Sequence, residues 1–332
     1  MNNILLVTLF ILFAGCSQKQ YFTPNKDSIV GEVEFDGKLE SPISKSNKNG
    51  ALLSDGTLIA KDGIYDINLK ENYSFLNIIG DLILVGDYET NTLSILNKDG
   101  KELKSFTFEY MPISASLRDN VLAVVLSDNS FVLWDIDVNE KLFSSNNATS
   151  YAINSKVASP LFIDDVVVFP AFDGKVVVIN LNNFQILHTI ALGNEEYFNN
   201  IIYLASSGKN LIIATSNKLM TFIGGNDFSK DLNIIDILYV NNKIYILSLE
   251  GEVIEFDLLL NELNKVKFQY ANLSSIIISD SIYTLESQGY MIKIDPDSFA
   301  DSIYKINIDE YKNSFYTDDV IYYDNRIIKF PK

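Results

Sequence analysis

Short hydrophobic runs that alternate with polar residues recur along most of this chain. From about residue 29 onward the runs are rich in Val, Ile, Tyr and Phe, and Asp, Asn, Gly and Ser separate them. Alternation with a period of two residues is typical of half-buried β-strands, and the chain shows almost none of the 3.6-residue periodicity of an amphipathic helix. The pattern therefore predicts an all-β fold.

One pattern of strands and turns repeats along the chain. The clearest copy, VVVFPAFDGKVVVINLNNFQILHTI from Val166 to Ile190, is a hydrophobic strand, a turn, an alternating strand and a further strand. The turn residues of eight copies serve as anchors: Gly56, Asn91, Asn129, Gly174, Asn217, Gly251, Gly289 and Asn325. They are 35, 38, 45, 43, 34, 38 and 36 residues apart. Asn or Asp stands six residues after the anchor at Asn97, Asp135, Asn180, Asp257 and Asp295.

A repeat of this length predicts a β-propeller. A period near 40 residues with several short strands per copy is typical of propeller blades, each of which is one four-stranded sheet. Gly and Asn suit the turns because they tolerate a positive φ. We predict an eight-bladed β-propeller of four-stranded antiparallel blades, with seven blades as the alternative if the copy at Gly56 is not a blade.

The two ends of the repeat region could together form one complete blade. The last copy ends after its third strand, RIIKF, whereas an unpaired alternating segment, residues 29–35, precedes the first copy. Pairing the two would remove exposed strand edges, which invite aggregation. We therefore expect a propeller domain over residues 29–332 in which this N-terminal strand completes the last blade.

The longest apolar run, ILLVTLFILF at residues 4–13, is followed by Ala14, Gly15 and the only cysteine, Cys16. The run is long enough for the core of a signal peptide and too short to span a bilayer, which takes about 20 residues. The small-small-Cys junction resembles the lipobox of bacterial lipoproteins, although Phe13 replaces the usual leucine and residues 1–3 carry no Lys or Arg.

The lipobox resemblance implies a lipid anchor. It divides the N-terminal region into a signal peptide, residues 1–15, and a lipidated flexible tether, residues 16–28, that begins at acylated Cys16. Several acyl chains on one residue give stable membrane attachment. We expect the protein on the periplasmic face of the outer membrane, or on the plasma membrane if the host is Gram-positive.

Charge and cysteine content argue against a nucleic-acid-binding protein and against a domain stabilised by disulfides. Lys and Arg number 26 against 43 Asp and Glu, which gives a formal charge of −17. A nucleic-acid-binding protein needs the opposite balance, because contacts with phosphates supply much of its affinity. A chain with one cysteine cannot form an internal disulfide, so packing must stabilise the domain.

The copies resemble the PQQ-like, quinoprotein-type propeller repeat, and FDGKVVVIN at residues 172–180 matches it closely. The tryptophan that ends that repeat is missing from nearly all copies, and Trp134 is the only one. With its length and lipobox, the chain resembles the BamB family of lipoproteins. That resemblance implies a non-catalytic periplasmic scaffold that assists assembly of β-barrel proteins into the outer membrane, a monomer within a complex. The barrel-assembly subunit would be its candidate protein partner.

Residues that could support catalysis are sparse. His188 is the only histidine, so a His-rich metal site is excluded and a Ser-His-Asp triad would have to use it. Quinoprotein dehydrogenases with this repeat hold their cofactor with a vicinal cysteine pair, a stacking tryptophan and calcium, and this chain lacks the cysteine pair. We expect no catalytic residues, no cofactor and no metal.

Two alternatives to the BamB-like role remain open: a scaffold of another envelope complex, and a hydrolase or lyase at the propeller channel that acts on an envelope polymer. A cluster of Asp, Glu, Tyr and Lys at a channel mouth favours the enzyme, whereas an apolar patch of several hundred Å² on the loops favours a scaffold. The two longest repeats hold the candidate partner-loop residues Tyr151, Pro160, Phe162, Tyr197 and Phe198.

Overall fold

The computed structural model describes residues 20–145, 150, 156–192, 199–308 and 312–331. Over these residues the chain forms eight β-sheets, which we number as blades I to VIII in chain order, leaving aside two N-terminal strands that join blades VII and VIII. Seven of them contain four strands and blade VII contains five. The predicted all-β, eight-bladed propeller is confirmed, and the copy at Gly56 is a blade.

A 3₁₀ helix at Lys26–Ser28 and two strands, β1 (Ile29–Val33) and β2 (Gly37–Lys38), precede blade I. The strands of blades I to IV are β3 (Ile43–Ser46), β4 (Gly50–Leu53), β5 (Leu58–Ala60) and β6 (Gly63–Tyr65); β7 (Tyr73–Ile79), β8 (Leu82–Asp87), β9 (Thr92–Asn97) and β10 (Glu102–Thr107); β11 (Pro112–Arg118), β12 (Val121–Leu126), β13 (Phe131–Asp135) and β14 (Glu140–Ser144); and β15 (Leu161–Ile163), β16 (Val166–Pro170), β17 (Lys175–Asn180) and β18 (Ile186–Ala191).

The strands of blades V to VIII are β19 (Tyr203–Ser207), β20 (Asn210–Ala214), β21 (Lys218–Ile223) and β22 (Asn226–Asp231); β23 (Ile234–Val240), β24 (Lys243–Ser248), β25 (Glu252–Phe256) and β26 (Glu262–Lys267); β27 (Leu273–Ile278), β28 (Ile282–Glu286), β29 (Tyr290–Ile294) and β30 (Asp301–Ile306); and β31 (Ser314–Tyr316), β32 (Val320–Tyr323) and β33 (Arg326–Lys329).

Burial differs between the strands of a blade in a regular way. Second strands such as β12 and β24 are buried at almost every position, because the neighbouring blades cover both of their faces. Fourth strands such as β18 are largely exposed and form the outer rim of the ring. Every copy of the sequence repeat begins at the second strand of its blade, which is the most continuously hydrophobic one.

The hydrophobic core is divided among the interfaces between blades. Eight clusters of buried apolar residues occur in the described part of the chain, and each joins two neighbouring blades, including blades VIII and I. Phe131 stacks on Phe169 across blades III and IV with ring centroids 4.9 Å apart. Tyr283 and Phe330 lie 4.2 Å apart across blades VII and VIII. Aromatic pairs therefore fill part of the space between neighbouring blades.

The anchor residues lie in the turns between second and third strands. Six of the eight have a positive φ, as their residue types predict: Gly56, Asn91, Asn129, Gly174, Gly251 and Gly289. The Asn and Asp residues six positions later cap the next turn. In blade III, for example, Asp135 Oδ1 accepts hydrogen bonds from the backbone N–H groups of Asp137 and Val138.

Ring closure differs in register from the expectation for residues 29–35. The segment that completes blade VIII is β2, which pairs antiparallel with β33. Strand β1 instead pairs in parallel with β30 and becomes the fifth strand of blade VII. In this position Val33 and Phe35 pack against the apolar cluster between blades VII and VIII. The expectation that residues 29–35 complete the last blade is therefore corrected.

The region ahead of β1 is partly docked on the propeller. Phe22, within the predicted tether, is buried and packs edge-on against Phe268 and Tyr290, with ring centroids 6.1 and 5.6 Å away. Cys16 and the predicted signal peptide lie outside the described residues. In the part of the chain that the structure describes, no helix has the length and apolar character needed to cross a membrane.

Candidate functional site

Polar side chains from several blades meet at the centre of the ring around Asp236, near the start of β23. Lys48 lies in the turn between β3 and β4, and its Nζ forms an ion pair with Asp236 Oδ1. Tyr316 at the end of β31 donates its hydroxyl to Asp236 Oδ2. The Nζ of Lys156, just ahead of blade IV, lies 3.9 Å from Asp236 Oδ1. Blades I and VI are not neighbours, so they can meet only across the channel.

The polar groups of this central cluster are largely engaged with one another. Asp236 is fully buried, and its Oδ2 also accepts the backbone N–H of Ile276 at 3.2 Å. Lys48 Nζ further contacts the carbonyl oxygen of Ile237 and the hydroxyl of Tyr316, both at 3.4 Å. Lys156 Nζ donates to the carbonyl oxygen of Ile235 at 2.7 Å. A buried carboxylate with this many partners connects the blades from which those partners come.

The electrostatics of the cluster keep Asp236 ionised. Burial alone would raise the pKa of Asp236, but the charges of Lys48 and Lys156, with hydrogen bonds from Lys48 and Tyr316, outweigh it and hold the pKa below its usual value. Burial lowers the pKa of Lys156, against the opposing effect of Asp236. Burial and the nearby carboxylate raise the pKa of Tyr316 well above its usual value.

The cluster contains the residue types that would favour an enzyme at a channel mouth. Their polar groups, however, mainly contact one another. Asp236 is an ionised acceptor that already binds two side-chain donors and one backbone donor. A general acid needs a carboxyl group that is protonated near the working pH, and a nucleophile or base must reach the substrate. The mutual contacts of Asp236, Lys48 and Tyr316 instead suit a role in closing the ring.

A second polar site lies on what we call the upper face, which carries the turns between second and third strands and the connections between blades. A cleft of about 640 Å³ opens there between blades IV, V and VI. Its lining contains four carboxylates, one lysine and three asparagines, together with Gly174, Leu192 and Leu232: Asp173, Asp231, Glu250, Glu252, Lys218, Asn199, Asn217 and Asn233. We call this site the upper cleft.

Most carboxylates of the upper cleft have partners. Asp231 lies 3.3 Å from Lys218 Nζ, and Glu250 Oε1 accepts a hydrogen bond from Asn233 Nδ2 at 2.6 Å. That hydrogen bond is the main reason why the pKa of Glu250 is lowered. Two buried oxygens have no donor among the described residues: Asp173 Oδ1 and Asn199 Oδ1.

Comparison with known proteins identifies a relative across nearly the whole chain. No protein-family model matches the sequence. The plasminogen-binding protein PgbB of Helicobacter pylori strain J99 is 32% identical over 377 aligned positions, which cover 99% of this chain and 70% of the relative. PgbB of strain 26695 is also 32% identical, over 99% of this chain and 69% of its own length. The chain belongs to the PgbB family.

Solved structures similar to this member of the PgbB family share its fold. BamB from Moraxella catarrhalis superposes with a TM-score of 0.66 at 14% identity, over 90% of this chain and 99% of BamB. The computationally designed Ika8 protein gives 0.65 at 15% identity, over 91% and 99%. The C-terminal WD40 domain of Sif2 gives 0.66 at 14% identity, over 92% and 100%. At such identities the likeness shows the propeller fold alone.

The candidate partner-loop residues fall into two groups. Tyr151, Tyr197 and Phe198 lie outside the described residues, so their role stays a prediction. Pro160 is buried, and Phe162 in β15 is half-buried, with its ring 5.0 Å from the Arg118 guanidinium carbon. These two side chains pack within the molecule.

The histidine and several carboxylates of turns lie on the surface. His188 is exposed on β18, and Asp164 and Asp165 form the exposed turn between β15 and β16. Asp295 Oδ1 caps a turn by accepting from the N–H groups of Asp297 and Ser298.

Sequence reasoning missed both sites that this PgbB-family structure contains. The single signal for Asp236 was a carboxylate inside an otherwise apolar run, IIDILYV, at the start of a first strand. Such a residue must be paired when it is buried. The upper cleft had no signal beyond Asp173 in the DG turn, because its other residues come from three different blades.

Proposed function

We propose that this chain is a non-catalytic propeller that binds a protein partner through its upper face, with plasminogen as the first candidate. The observation that carries the proposal is the 32% identity with PgbB, whose name states plasminogen binding, over 99% of the chain. The match to PgbB spans every blade, so it includes surface as well as core positions. The engagement of the central polar residues with one another supports the non-catalytic part.

A direct binding measurement tests this proposal. The full chain is immobilised in detergent, and surface plasmon resonance is recorded with plasminogen, with serum albumin as the control ligand. We expect saturable binding of plasminogen and none of albumin. Repeating the measurement after thermal unfolding of the immobilised chain shows whether plasminogen binding requires the propeller fold. Equal responses to plasminogen and albumin would remove plasminogen as the partner.

A role in the assembly of outer-membrane β-barrel proteins is the second candidate. The likeness to BamB over 90% of the chain and the predicted lipobox support it. Gentle detergent extraction from the native cell, followed by affinity purification through a C-terminal tag, tests it. Recovery of the barrel-assembly subunit in comparable amount would support this role. Recovery of another envelope complex would support the alternative scaffold role.

We also propose that the protein is anchored through acylated Cys16. In Cys16→Ala, the chain should leave the membrane fraction, because the junction that receives the acyl chains is lost. Fractionation of native cells and metabolic labelling with a tagged fatty acid measure this. Ser17→Ala, which keeps the cysteine, is the matched control and should stay labelled and membrane-bound. An unlabelled wild-type chain, or a variant at Cys16 that stays in the membrane, would contradict the anchor.

A further inference from the structure

The segment ahead of β1 is attached to the propeller at the upper face, between blades VI and VII. Phe22 is buried and belongs to the apolar cluster between these blades. Its two ring partners lie at the upper ends of strands, Phe268 directly after β26 and Tyr290 at the start of β29. Beyond Phe22 the chain continues into β1, which pairs with β30. The N-terminal segment is therefore attached to the domain from Phe22 onward.

Covalent geometry limits how far Cys16 can lie from this attachment point. Phe22 follows Cys16 by six residues, and a fully extended chain of that length spans about 20 Å. A folded domain of about 300 residues has a radius of gyration of about 20 Å, so it measures about 50 Å across. A lipid anchor on Cys16 therefore cannot reach a membrane that lies on the far side of the ring.

Large apolar and aromatic side chains are exposed beside the attachment point. They are Tyr21, Leu249 and Tyr270, which we call the exit patch. Leu249 lies in the turn between β24 and β25, and Tyr270 lies in the connection between blades VI and VII. These two segments are in contact, because Phe268 N donates to the Gly251 carbonyl oxygen at 2.8 Å. Tyr21 adjoins Phe22, whose ring packs on Phe268. Three neighbouring segments therefore form the exit patch.

We propose that the exit patch faces the membrane, so that the anchored propeller lies with the upper edge of blades VI and VII against the lipid headgroups. The short span between Cys16 and Phe22 brings this edge to the bilayer, and tyrosine is enriched where proteins meet the headgroup region. The acyl chains hold the protein there, because a chain with a formal charge of −17 gains no electrostatic attraction from anionic lipids. This inference rests on the proposed acylation of Cys16.

This orientation leaves the opposite part of the upper face for a protein partner. In a ring of eight blades, blades II and III lie opposite blades VI and VII. Tyr110 lies in the connection between blades II and III and is exposed on the upper face. It therefore matches Tyr270 in side chain, exposure and place in the repeat, but lies across the channel from it. The two tyrosines form a matched pair for a test.

Fluorescence quenching by lipid at these two positions tests the orientation. Tyr270→Cys and Tyr110→Cys are produced as full chains in the native cell, purified in detergent and reconstituted in phosphatidylcholine vesicles. Acylation blocks the thiol of Cys16, so a nitrobenzoxadiazole label attaches to the introduced cysteine. With a headgroup-spin-labelled lipid in the vesicles, the label at position 270 should lose most of its fluorescence and the label at position 110 little. Equal losses, or a greater loss at position 110, would overturn the orientation.

Release of Phe22 tests the cause of the orientation. Without the docked ring, the free span reaches β1, which begins 13 residues after Cys16, and a chain of that length extends to about 45 Å. When Phe22→Ala is combined with each cysteine variant, the difference in quenching between the two positions should shrink while the chain stays on the vesicles. Thr23→Ala, at an exposed neighbouring residue, is the matched control and should keep the difference. An unchanged difference with Phe22→Ala would overturn the role of the docked ring.

The wild-type chain distinguishes this inference from the proposed anchor. With Cys16 acylated, the wild type should take up no thiol label and should float with the vesicles in a density gradient. If the wild type takes up the label, Cys16 is not acylated, and the anchor and the orientation fail together. If the wild type floats without label while positions 270 and 110 are quenched equally, the anchor stands and the orientation alone fails.

Discussion

At the scale of single residues, Asp236 links side-chain and backbone groups of several blades at the centre of the ring. It is buried at the centre and joins Lys48 of blade I, Tyr316 of blade VIII and the Ile276 backbone of blade VII. Removing one partner of a buried ion pair is far costlier than replacing the whole pair, because the remaining charge stays buried without compensation. The cluster therefore acts as a set rather than as separate contacts.

We predict that Asp236→Ala lowers the free energy of unfolding by about 3–5 kcal/mol. The loss leaves Lys48 and Lys156, whose side chains are 20% and 33% exposed, without their common carboxylate. Urea unfolding followed by circular dichroism measures it. Asp137→Ala is the control, because Asp137 is 69% exposed in its ion pair with Lys104 and should contribute at most about 1 kcal/mol. Equal losses in the two variants would contradict a structural role for the cluster.

The same carboxylate predicts a pH dependence with a definite sign. The pKa of folded Asp236 lies below the unfolded value of about 3.9, because the two lysines outweigh its burial. The unfolded chain therefore binds this proton more readily, so the contribution is present above about pH 4 and is lost as pH falls through the folded pKa. The unfolding free energies of wild type and Asp236→Asn should differ by a constant amount at pH 5–7 and converge below about pH 4. A difference that grows in acid would contradict this.

At the scale of elements, the turns between second and third strands could be predicted and their contacts could not. Glycine and asparagine identify a turn by their own backbone preferences, so single residues carry the information. The prediction was one position off in blade VIII, where Asp324, not Asn325, has the positive φ. What a turn packs against depends on the neighbouring blade, which lies tens of residues away in the sequence.

Glycines with the same backbone conformation should therefore differ in their tolerance of a side chain. Gly251 has a φ of +77°, and a Cβ there would lie 2.3 Å from the Phe268 carbonyl oxygen. Gly208 has a φ of +58°, and a Cβ there would meet no described heavy atom within 4 Å. We expect Gly251→Ala to lower the unfolding free energy by about 2–5 kcal/mol and Gly208→Ala by about 1–2 kcal/mol, by urea unfolding. Similar losses would mean that the close packing of the turn is unimportant.

At the scale of the whole molecule, the repeat allowed the architecture to be predicted. The central cluster could not be predicted, because its residues are far apart in the sequence. Each blade carries its own strand and turn pattern, so eight anchors indicated eight blades. Lys48 and Asp236 are 188 residues apart, and nothing in either local pattern indicates the other. That an N-terminal strand completes the last blade could be predicted, because the sequence has an unpaired segment at its start and an incomplete copy at its end. Its register could not be predicted, since the local pattern does not indicate which of β1 and β2 pairs with β33.

Ring closure by a few residues makes the stability of the whole propeller depend on its N-terminal segment. Strand β2 has backbone hydrogen bonds on both sides of it, from Asp36 N to the Ile327 carbonyl at 2.8 Å and from Leu39 N to the Asn325 carbonyl at 2.7 Å. Leu39 is buried in the cluster between blades VIII and I. Without β2, the edge of β33 and this cluster would face solvent.

We expect a chain that lacks residues 1–41 to unfold at lower temperature and to elute partly as aggregates in size-exclusion chromatography. A chain that lacks residues 1–20 keeps Phe22, β1 and β2 and should behave as a stable monomer, which makes it the matched control. Adding a peptide of residues 20–41 to the shorter chain should restore the melting temperature in a concentration-dependent way, because binding to the folded state stabilises it by mass action. If the shorter chain melts like its control, or if the peptide has no effect on a destabilised chain, closure by β2 is not what holds blades VIII and I together.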